Sequence, residues 1–176
     1  MPIDFPNPSN SITYTNPVNG NVYTYANGSW SLASTFTYRC SIGLATDQTI
    51  TSGGNDTLVN FTSISDPNSW WNASTKKITP TVAGWYYVSY QVNWAAASIT
   101  NAQCNIQMRK NGTTFSIGQM QLLSGNPYSM SCSGIVNVNG SSDYLDFTVF
   151  TSNTTSQVLN GEANQQYTRV DMFKIQ

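Results

Sequence analysis

The hydrophobic pattern is strongest between Gly84 and Trp94, where the residues alternate in character along the chain. Side chains on a β-strand point to opposite faces in turn, so this stretch predicts a strand with two different faces. One face is large and apolar throughout, and we expect it to fill the protomer core: Tyr86, Val88, Tyr90, Val92 and Trp94. The other face is aromatic at its start and polar at its end: Trp85, Tyr87, Ser89, Gln91 and Asn93.

The aromatic start of the second face, at Trp85 and Tyr87, is too apolar to face water without a reason. Large apolar side chains gathered on a surface usually mark contact with another molecule. We therefore expect this face to meet something outside the protomer's own core. The alternative is a strand that is buried on both faces within one chain.

Short alternating segments separated by polar turns continue on both sides of this strand. Asn111-Gly112 joins two of them and is a strong hairpin signal. No helical period of convincing length is present, so the pattern predicts an all-β sandwich or jelly roll of about eight or more strands. The other predicted strands lie at Phe36–Leu44, Leu58–Ile64, Ile78–Val82, Asn105–Lys110, Thr114–Met120, Ser129–Val138, Asp143–Thr151 and Tyr167–Ile175.

Residues 1–34 differ in texture from the rest and predict an extended strap and a β-hairpin ahead of a jelly-roll domain over residues 35–176. Early prolines keep the start of the chain out of helices and central strands. Asn27-Gly28, between alternating segments, then predicts the hairpin turn. The hairpin exposes aromatic residues and has too few residues for a core of its own: Tyr23, Tyr25 and Trp30. We expect it to pack on a partner or a neighbouring subunit, and the alternative is a hairpin folded back on its own domain.

Composition narrows the possible partners. Charged residues make up 9% of the chain and the net charge is −1, so no basic surplus is available to neutralise phosphates. We therefore expect no nucleic-acid partner. No apolar run approaches the roughly 20 residues that a membrane helix needs, so we expect no membrane partner either. The first residues lack the basic and apolar regions of a secretory signal, and we expect none.

Residue patterns for nucleophilic catalysis are missing. The chain has no His, which removes the usual base for a Ser or Cys nucleophile. The three cysteines are widely spaced and form no zinc-binding pattern: Cys40, Cys104 and Cys132. We expect them to be small buried thiols in reduced form. The sequence thus predicts no enzyme and no catalytic residue.

The acidic residues predict no metal or cofactor site. Asp143 and Asp146 are the closest pair at a plausible exposed position, but three residues apart on one strand they point to opposite faces. Asp47 and Asp56 flank a Gly-rich loop, where calcium binding is the alternative to a plain solvated loop. We expect the plain loop, with no metal and no cofactor.

Three stretches of the chain resemble one known family. Ile78–Tyr90 resembles the "phenylalanine, x, x, proline, x, x, glycine, x, tyrosine, x, phenylalanine" signature of the globular head of complement component 1q, a structural cousin of tumour necrosis factor. Val136–Leu145 is similar to that family's approach to a late strand, and Val170–Ile175 to its closing strand. The resemblance covers roughly Phe36 to Gln176. It departs from the family pattern at three positions. Ile78 and Val88 stand where the family has Phe, and Ser142 stands where it has Gly.

This resemblance implies an antiparallel jelly-roll β-sandwich of about ten strands that assembles as a compact homotrimer. The polar-and-aromatic face of the central strand would then lie against neighbours around the threefold axis: Trp85, Tyr87, Ser89 and Gln91. A closed ring would bury a patch that a monomer leaves wet. No collagen-like Gly-X-Y stem is present, which argues against a secreted complement-type molecule.

The N-terminal residues have a likeness of their own. Asp4–Pro8, followed by Tyr23–Trp30, resembles the short "phenylalanine-proline … tyrosine-threonine … glycine-x-x-tryptophan" module at the start of tailed-phage structural proteins. The resemblance implies that residues 1–34 anchor the protein on a virion partner. The anchoring side chains would be the aromatic ones: Phe5, Tyr14, Tyr23, Tyr25 and Trp30.

Together, the two likenesses imply a non-enzymatic structural protein of a virion. We expect a trimeric capsid decoration (cement) protein of a tailed phage, made in the host cytoplasm and bound to the major capsid protein. The alternative is a receptor-binding knob of a tail or head fibre, with Trp70 and Trp71 stacking on host surface glycans. Local packing of these two rings under a turn is the competing interpretation. A cellular cytokine-like ligand would require secretion.

Overall fold

The structure is a computed structural model and describes residues 4–9, 12–17, 21–34, 38–51, 53–95, 102–122 and 127–175. All regular structure in these ranges is β-sheet, and the strand pairs are antiparallel. The predicted fold class, an all-β antiparallel sandwich, is confirmed. Within the same ranges there is no helix of the length and hydrophobicity that crossing a membrane requires.

The described strands form three sheets. In chain order they are β1 (Thr13–Thr15), β2 (Val22–Ala26), β3 (Ser29–Ser34), β4 (Arg39–Gly43), β5 (Gln48–Ile50), β6 (Thr57–Leu58), β7 (Thr62–Ser65), β8 (Trp71–Asn72), β9 (Lys77–Ile78), β10 (Gly84–Trp94), β11 (Ala102–Lys110), β12 (Thr113–Leu122), β13 (Tyr128–Val138), β14 (Leu145–Thr151), β15 (Gln157–Leu159) and β16 (Arg169–Lys174). β1, β2 and β3 form a small N-terminal sheet, and the others form the two sheets of a sandwich.

The long strand β10 organises the first sandwich sheet. β13 pairs with it over its whole length, from Gly84 opposite Val138 to Trp94 opposite Tyr128. The other edge of β10 pairs with β16 and, at Trp94, with β15. β4 and then β7 follow β16 outwards, while β5 follows β15. The strand predicted over Gly84–Trp94 therefore occupies a central position with a partner on each side.

The second sandwich sheet has the order β12-β11-β14-β9-β8, with β6 also paired to β14. The β11–β12 hairpin turns at Asn111 and Gly112, whose φ angles are 52° and 79°. Asn27 and Gly28 join β2 to β3 with φ angles of 51° and 80°. Two consecutive positive φ angles are the mark of a type I′ turn, which Asn-Gly favours. Both hairpins that the Asn-Gly pairs predict are confirmed.

The core lies between the inner faces of the two sandwich sheets. The inward residues of β10 are all 0% exposed: Tyr86, Val88, Tyr90, Val92 and Trp94. Tyr90 meets Phe147 of the second sheet edge to face, with ring centroids 5.5 Å apart. Burying a side chain of this size stabilises the fold by about 1.5–3 kcal/mol. The alternation along β10 therefore decides which face of the first sheet lies inside.

Some elements differ from the sequence-based expectation. The strand predicted from Phe36 begins at Arg39 in the described part of the chain, and Phe36 itself lies outside the described residues, as does residue 35 at the predicted domain boundary. The loop predicted over residues 47–57 contains β5, which pairs with the equally unexpected β15. Strands of three residues are too short to show an alternating pattern.

Candidate interaction surface

Alternate residues of β10 and its neighbours build the outward face of the first sheet, called here the outer face. Strand pairing sets Tyr87 between Ile135 of β13 and Phe173 of β16, with Arg39 of β4 beyond Phe173. The next outward row is Ser133, Ser89, Asp171 and Ser41. The row after that is Ser131, Gln91, Arg169 and Gly43.

One end of the outer face is apolar. Its five large side chains are called here the apolar band: Trp85, Tyr87, Ile135, Phe173 and Ile175. Trp85, Ile135 and Ile175 are 46%, 57% and 47% exposed. Tyr87 and Phe173 are half-buried beside them. A patch of this kind, spread over three paired strands, is typical of a surface that meets another protein.

The centre of the outer face is charged and hydrogen-bonded. Asp171 Oδ1 accepts from Ser41 Oγ at 2.8 Å and from Arg169 Nη2 at 2.6 Å. Arg169 Nε is buried and has no hydrogen-bonding partner in the described part of the chain. A shallow depression of about 280 Å³ adjoins this group and is lined by Arg39, Ser41, Asp171, Met172 and Phe173. The centre thus offers donors and acceptors that the protomer itself leaves partly unused.

The opposite end of the outer face is polar. Gln91 Nε2 donates to the Gln166 carbonyl at 2.5 Å, and Asn93 Nδ2 donates to Ser129 Oγ at 2.8 Å. A second depression, of about 150 Å³, is lined by Gln91, Ser129, Met130, Ser131 and Tyr167. Tyr167 is 51% exposed at its rim. The face therefore changes from apolar through charged to amide- and hydroxyl-rich along one direction.

All the residues predicted for an intersubunit contact lie on this face. Trp85 is exposed, while Tyr87, Ser89 and Gln91 are half-buried. The alternative of a strand buried on both faces within one chain is wrong, because Trp85 keeps 46% of its surface exposed. Three further members of the patch were missed by sequence reasoning, because only strand pairing brings them beside β10: Ile135, Phe173 and Ile175.

A second candidate surface lies on the N-terminal sheet, whose aromatic residues form one cluster. Phe5 stacks on Trp30 with ring centroids 5.2 Å apart. It also meets Tyr14 and Tyr23 edge to face, at 5.7 Å and 4.9 Å. Tyr25, which is paired with Trp30 across the hairpin, packs against it with ring centroids 5.5 Å apart. The predicted anchoring residues therefore pack on one another, but all five stay half-buried, so the cluster is not a buried core.

The missed strand β1 explains this cluster. It pairs with β2 and sets Tyr14 opposite Tyr23, so that Phe5 can cover both rings. The cluster remains half-buried. Two aliphatic neighbours are more open: Ile12, just before β1, is 70% exposed, and Leu32 of β3 is 46% exposed. A sheet of three short strands has little apolar area to bury by itself. This face therefore retains apolar surface for a partner.

Of the two tryptophans suggested for sugar stacking, Trp70 is packed inside the protomer and Trp71 is half-buried. Trp70 is 2% exposed, and its Nε1 donates to Thr81 Oγ1 at 3.0 Å. Its ring meets Tyr86 edge to face at 5.6 Å. Trp71 packs against Phe61 at 6.2 Å. Trp70 is therefore not available to stack on a sugar, and both rings pack locally, as the competing interpretation expects.

The acidic pair near β14 takes part in two separate ion pairs. Asp143 Oδ2 accepts from Lys110 Nζ at 2.8 Å, and Asp143 Oδ1 accepts from Asn111 Nδ2 at 2.8 Å. The hydrogen bond from Lys110, followed by that from Asn111, lowers the pKa of Asp143 to about 2. Asp146 pairs with Arg109 Nε at 2.5 Å. Asp143 precedes β14, so the expectation that the two carboxylates share one strand is wrong.

The carboxylates beside the Gly-rich loop are also separately engaged. Asp47 accepts from the Gly161 amide at 2.9 Å, and Asp56 accepts from Gln107 Nε2 at 3.0 Å. Across the described ranges, no group of three or more His, Cys, Asp and Glu side chains comes together.

The cysteines offer little nucleophilic character. Cys40 and Cys104 are buried and Cys132 is half-buried, and all three are free thiols. Burial is the largest cause that raises the pKa of each thiol, and Asp66 adds to the effect at Cys40. A thiol that stays protonated is a poor nucleophile and a poor metal ligand.

Known proteins match this chain in fold but not in sequence. Neither a protein-family model nor a curated protein matches the sequence. The globular domain of zebrafish complement 1qA is 13% identical, with a TM-score of 0.58 over 80% of this chain and 98% of that one. The tumour necrosis factor Eiger from S. frugiperda is 9% identical, with a TM-score of 0.59 over 80% of this chain and 94% of that one. Murine APRIL at pH 5.0 is 14% identical, with a TM-score of 0.54 over 78% and 99%.

At these identities the likeness shows the fold alone. It agrees with the resemblance that three stretches of the sequence carry, since both point to the same jelly roll. The chain is an antiparallel all-β protein with a jelly roll similar to those of complement 1q and the tumour necrosis factor proteins.

Proposed function

We propose that this protein works without catalysis, as a homotrimer whose protomers meet through the outer face. The observation that carries the proposal is the apolar band, where Trp85, Ile135 and Ile175 keep 46%, 57% and 47% of their surface exposed. Closed rotational symmetry buries such a patch in every copy at once. Full burial of a large apolar side chain stabilises by about 1.5–3 kcal/mol, and these half-exposed side chains have part of that still to gain.

We further propose that the trimer is a capsid decoration protein of a tailed phage, attached through its N-terminal sheet to the major capsid protein. Two observations support this role. The N-terminal residues resemble the opening module of tailed-phage structural proteins. Their sheet is small and keeps Ile12 and Leu32 exposed beside the aromatic cluster. A small sheet with a partly open apolar face gains stability when it docks on a larger surface.

Two measurements test the proposal in turn. Light scattering after gel filtration is expected to give three times the 19.3 kDa mass of the chain. Immunogold labelling of purified virions is then expected to mark the whole capsid shell. A 19.3 kDa species overturns the trimer. A trimer that labels no part of the particle overturns the virion role.

A receptor-binding knob that recognises host glycans is the second candidate, and one observation favours it. The polar depression at the far end of the outer face combines the half-exposed ring of Tyr167 with Gln91, Ser129 and Ser131. An aromatic ring beside amides and hydroxyls suits a sugar, which presents apolar C–H faces and many hydroxyl groups. A trimer that covers the outer face would close this depression. Label at fibre tips, together with saturable binding on a glycan array, would favour the knob over the decoration protein.

A further inference from the structure

The centre of the outer face contains a cation that the protomer uses only in part. Within the described chain, the side chain of Arg169 has one hydrogen-bonding partner, Asp171 Oδ1, at 2.6 Å from Nη2. Its Nε is buried without an acceptor. A guanidinium carries five N–H donors in a fixed planar fork. One N–H bonds Asp171 and the buried Nε lies out of a partner's reach, so the other three donors of Arg169 remain open to another molecule.

Asp171 has unused hydrogen-bond acceptor positions. Its Oδ1 accepts both contacts, from Arg169 and from Ser41 at 2.8 Å, while Oδ2 accepts no hydrogen bond within the described chain. A carboxylate has about four acceptor positions, so half of this group is unused. The four strands that build this part of the face, β4, β10, β13 and β16, contain no other acidic residue. Arg169, with its open donors, thus lies two residues from Asp171, which is the only carboxylate on these four strands.

A second copy of the same chain fits this arrangement better than a free ion. Arg169 and Asp171 together carry no net charge, so neither a free anion nor a free cation is strongly attracted to them. Arg39, which is exposed, lies on β4 one row from Asp171. A symmetric partner presents the same donor and the same acceptor, and each can satisfy the other. The neighbouring apolar band is the patch expected to bring such copies together.

We propose that Arg169 of each protomer pairs with Asp171 of the next protomer, so that alternating charges form a closed ring at the centre of the trimer. This inference rests on the trimer proposed above. The ring would fix the packing register, because a displaced arrangement would leave desolvated charges without partners. Breaking a buried ion pair costs far more than the intact pair contributes. The apolar band would then supply affinity, and the charged ring would supply the alignment.

Charge exchange in the full-length chain tests this pairing. Arg169→Asp leaves two carboxylates on each protomer, and Asp171→Arg leaves two guanidinium groups. Each variant alone is expected to raise the concentration at the trimer–monomer midpoint by about tenfold or more. An equimolar mixture of the two variants is expected to form mixed trimers in which two of the three pairs are restored and one contact stays between like charges, so the midpoint is expected to recover in part. Pairing inside one protomer cannot produce this rescue, because each variant chain carries two like charges.

Two controls make the result specific. Lys76→Asp changes the net charge as Arg169→Asp does, but lies in the β8–β9 turn of the other sheet, and it is expected to leave the midpoint unchanged. The doubly exchanged chain, Arg169→Asp with Asp171→Arg, keeps both charges in reversed order and is expected to trimerise. It provides the decisive measurement if circular dichroism shows that a single variant does not fold.

The outcomes separate the inference from the proposal beneath it. A wild-type protein that is monomeric overturns the trimer and the charged ring together. A wild-type trimer whose single variants keep the wild-type midpoint overturns the ring alone. Single variants that dissociate and recover nothing on mixing also overturn it, since the pair then acts within one protomer. A doubly exchanged chain that folds but stays monomeric also overturns the ring.

Discussion

Tyr87 and Phe173 lie side by side on neighbouring strands, with ring centroids 5.3 Å apart and planes inclined by 39°. Their backbones are directly paired, and Ile135 pairs with Tyr87 from the other side. Tyr87 is therefore the middle of one row of the apolar band, with Ile135 on one side and Phe173 on the other, and Trp85 lies beside Ile175 in the adjacent row. The band is therefore one surface, and substitutions within it are expected to act on assembly before they act on folding.

Replacing Trp85 and Ile135 together by Ser is expected to convert the trimer to monomers. Both side chains are about half exposed, at 46% and 57%, so the isolated protomer loses little stability. Each replacement removes roughly 1–2 kcal/mol of apolar burial per protomer from the interface. Sedimentation velocity gives the species, and far-ultraviolet circular dichroism reports the protomer fold. Ile12→Ser, the same chemical change on the N-terminal sheet, is expected to leave the trimer intact, and an unchanged trimer in the double variant would contradict the interface.

Phe5→Ser is expected to melt the N-terminal sheet and abolish attachment to capsids while the trimer persists. Phe5 lies within 5.7 Å of three other rings and covers their common face, so its loss exposes Tyr14, Tyr23 and Trp30 together. Co-sedimentation with capsids measures attachment, and light scattering measures the trimer. Phe5→Tyr keeps the ring and serves as the matched control. Capsid binding that survives Phe5→Ser would show that the aromatic cluster is not the attachment site.

Asp143→Asn is expected to lower stability at neutral pH but not at strongly acidic pH. The pKa of Asp143 falls from its ordinary value of 3.8 to about 2 because Lys110 and Asn111 hydrogen-bond to the ionised carboxylate. A lowered folded-state pKa means that the stabilisation is present above about pH 4 and disappears as the pH falls through about 2. Urea unfolding of wild type and variant between those limits gives the difference. Asp4→Asn, a change outside the sandwich, is the control, and a constant difference across this range would refute the assignment.

Gly161→Ala is expected to destabilise the jelly roll by about 1–3 kcal/mol through steric overlap. A Cβ at residue 161 would lie 2.3 Å from both the carbonyl carbon and the carbonyl oxygen of Thr46. These are backbone atoms, which cannot turn aside as the end of a side chain can. Gly134→Ala is the matched control, since its Cβ would approach the Phe115 ring no closer than 3.3 Å. Thermal unfolding that is equal in the two variants would count against the close approach.

Much of the sandwich follows from local pattern. The alternation from Tyr86 to Trp94 predicts which side chains lie inside. Side chains on a strand repeat with a period of two residues, so burying one face places every second residue in the core. The Asn-Gly pairs predict two hairpins, because a type I′ turn needs two residues that tolerate positive φ. Both signals lie within a few neighbouring residues, so a single sequence can show them.

The remainder depends on pairing between distant segments. Nothing near Tyr87 in the sequence indicates that Phe173 and Ile135 will lie beside it. The short strands β5 and β15 stabilise each other and carry no pattern alone. Phe5 completes the aromatic cluster only after β1 has paired with β2. For the same reason, the unused groups of Arg169 and Asp171 become visible only in three dimensions.

The position of β4 determines where the N-terminal sheet leaves the sandwich, and this affects how strongly the trimer would bind a surface. β4 begins at Arg39, directly beside Phe173 of the apolar band, and only residues 35–37 separate the end of β3 from Tyr38. In a trimer closed through that band, all three N-terminal sheets would leave the assembly at the same pole. Three individually weak contacts then raise one another's effective concentration, so that avidity can exceed a single affinity by about 10²–10⁴-fold. Release would require all three segments to be free at once, so dissociation from a repetitive lattice would be far slower than from one isolated site.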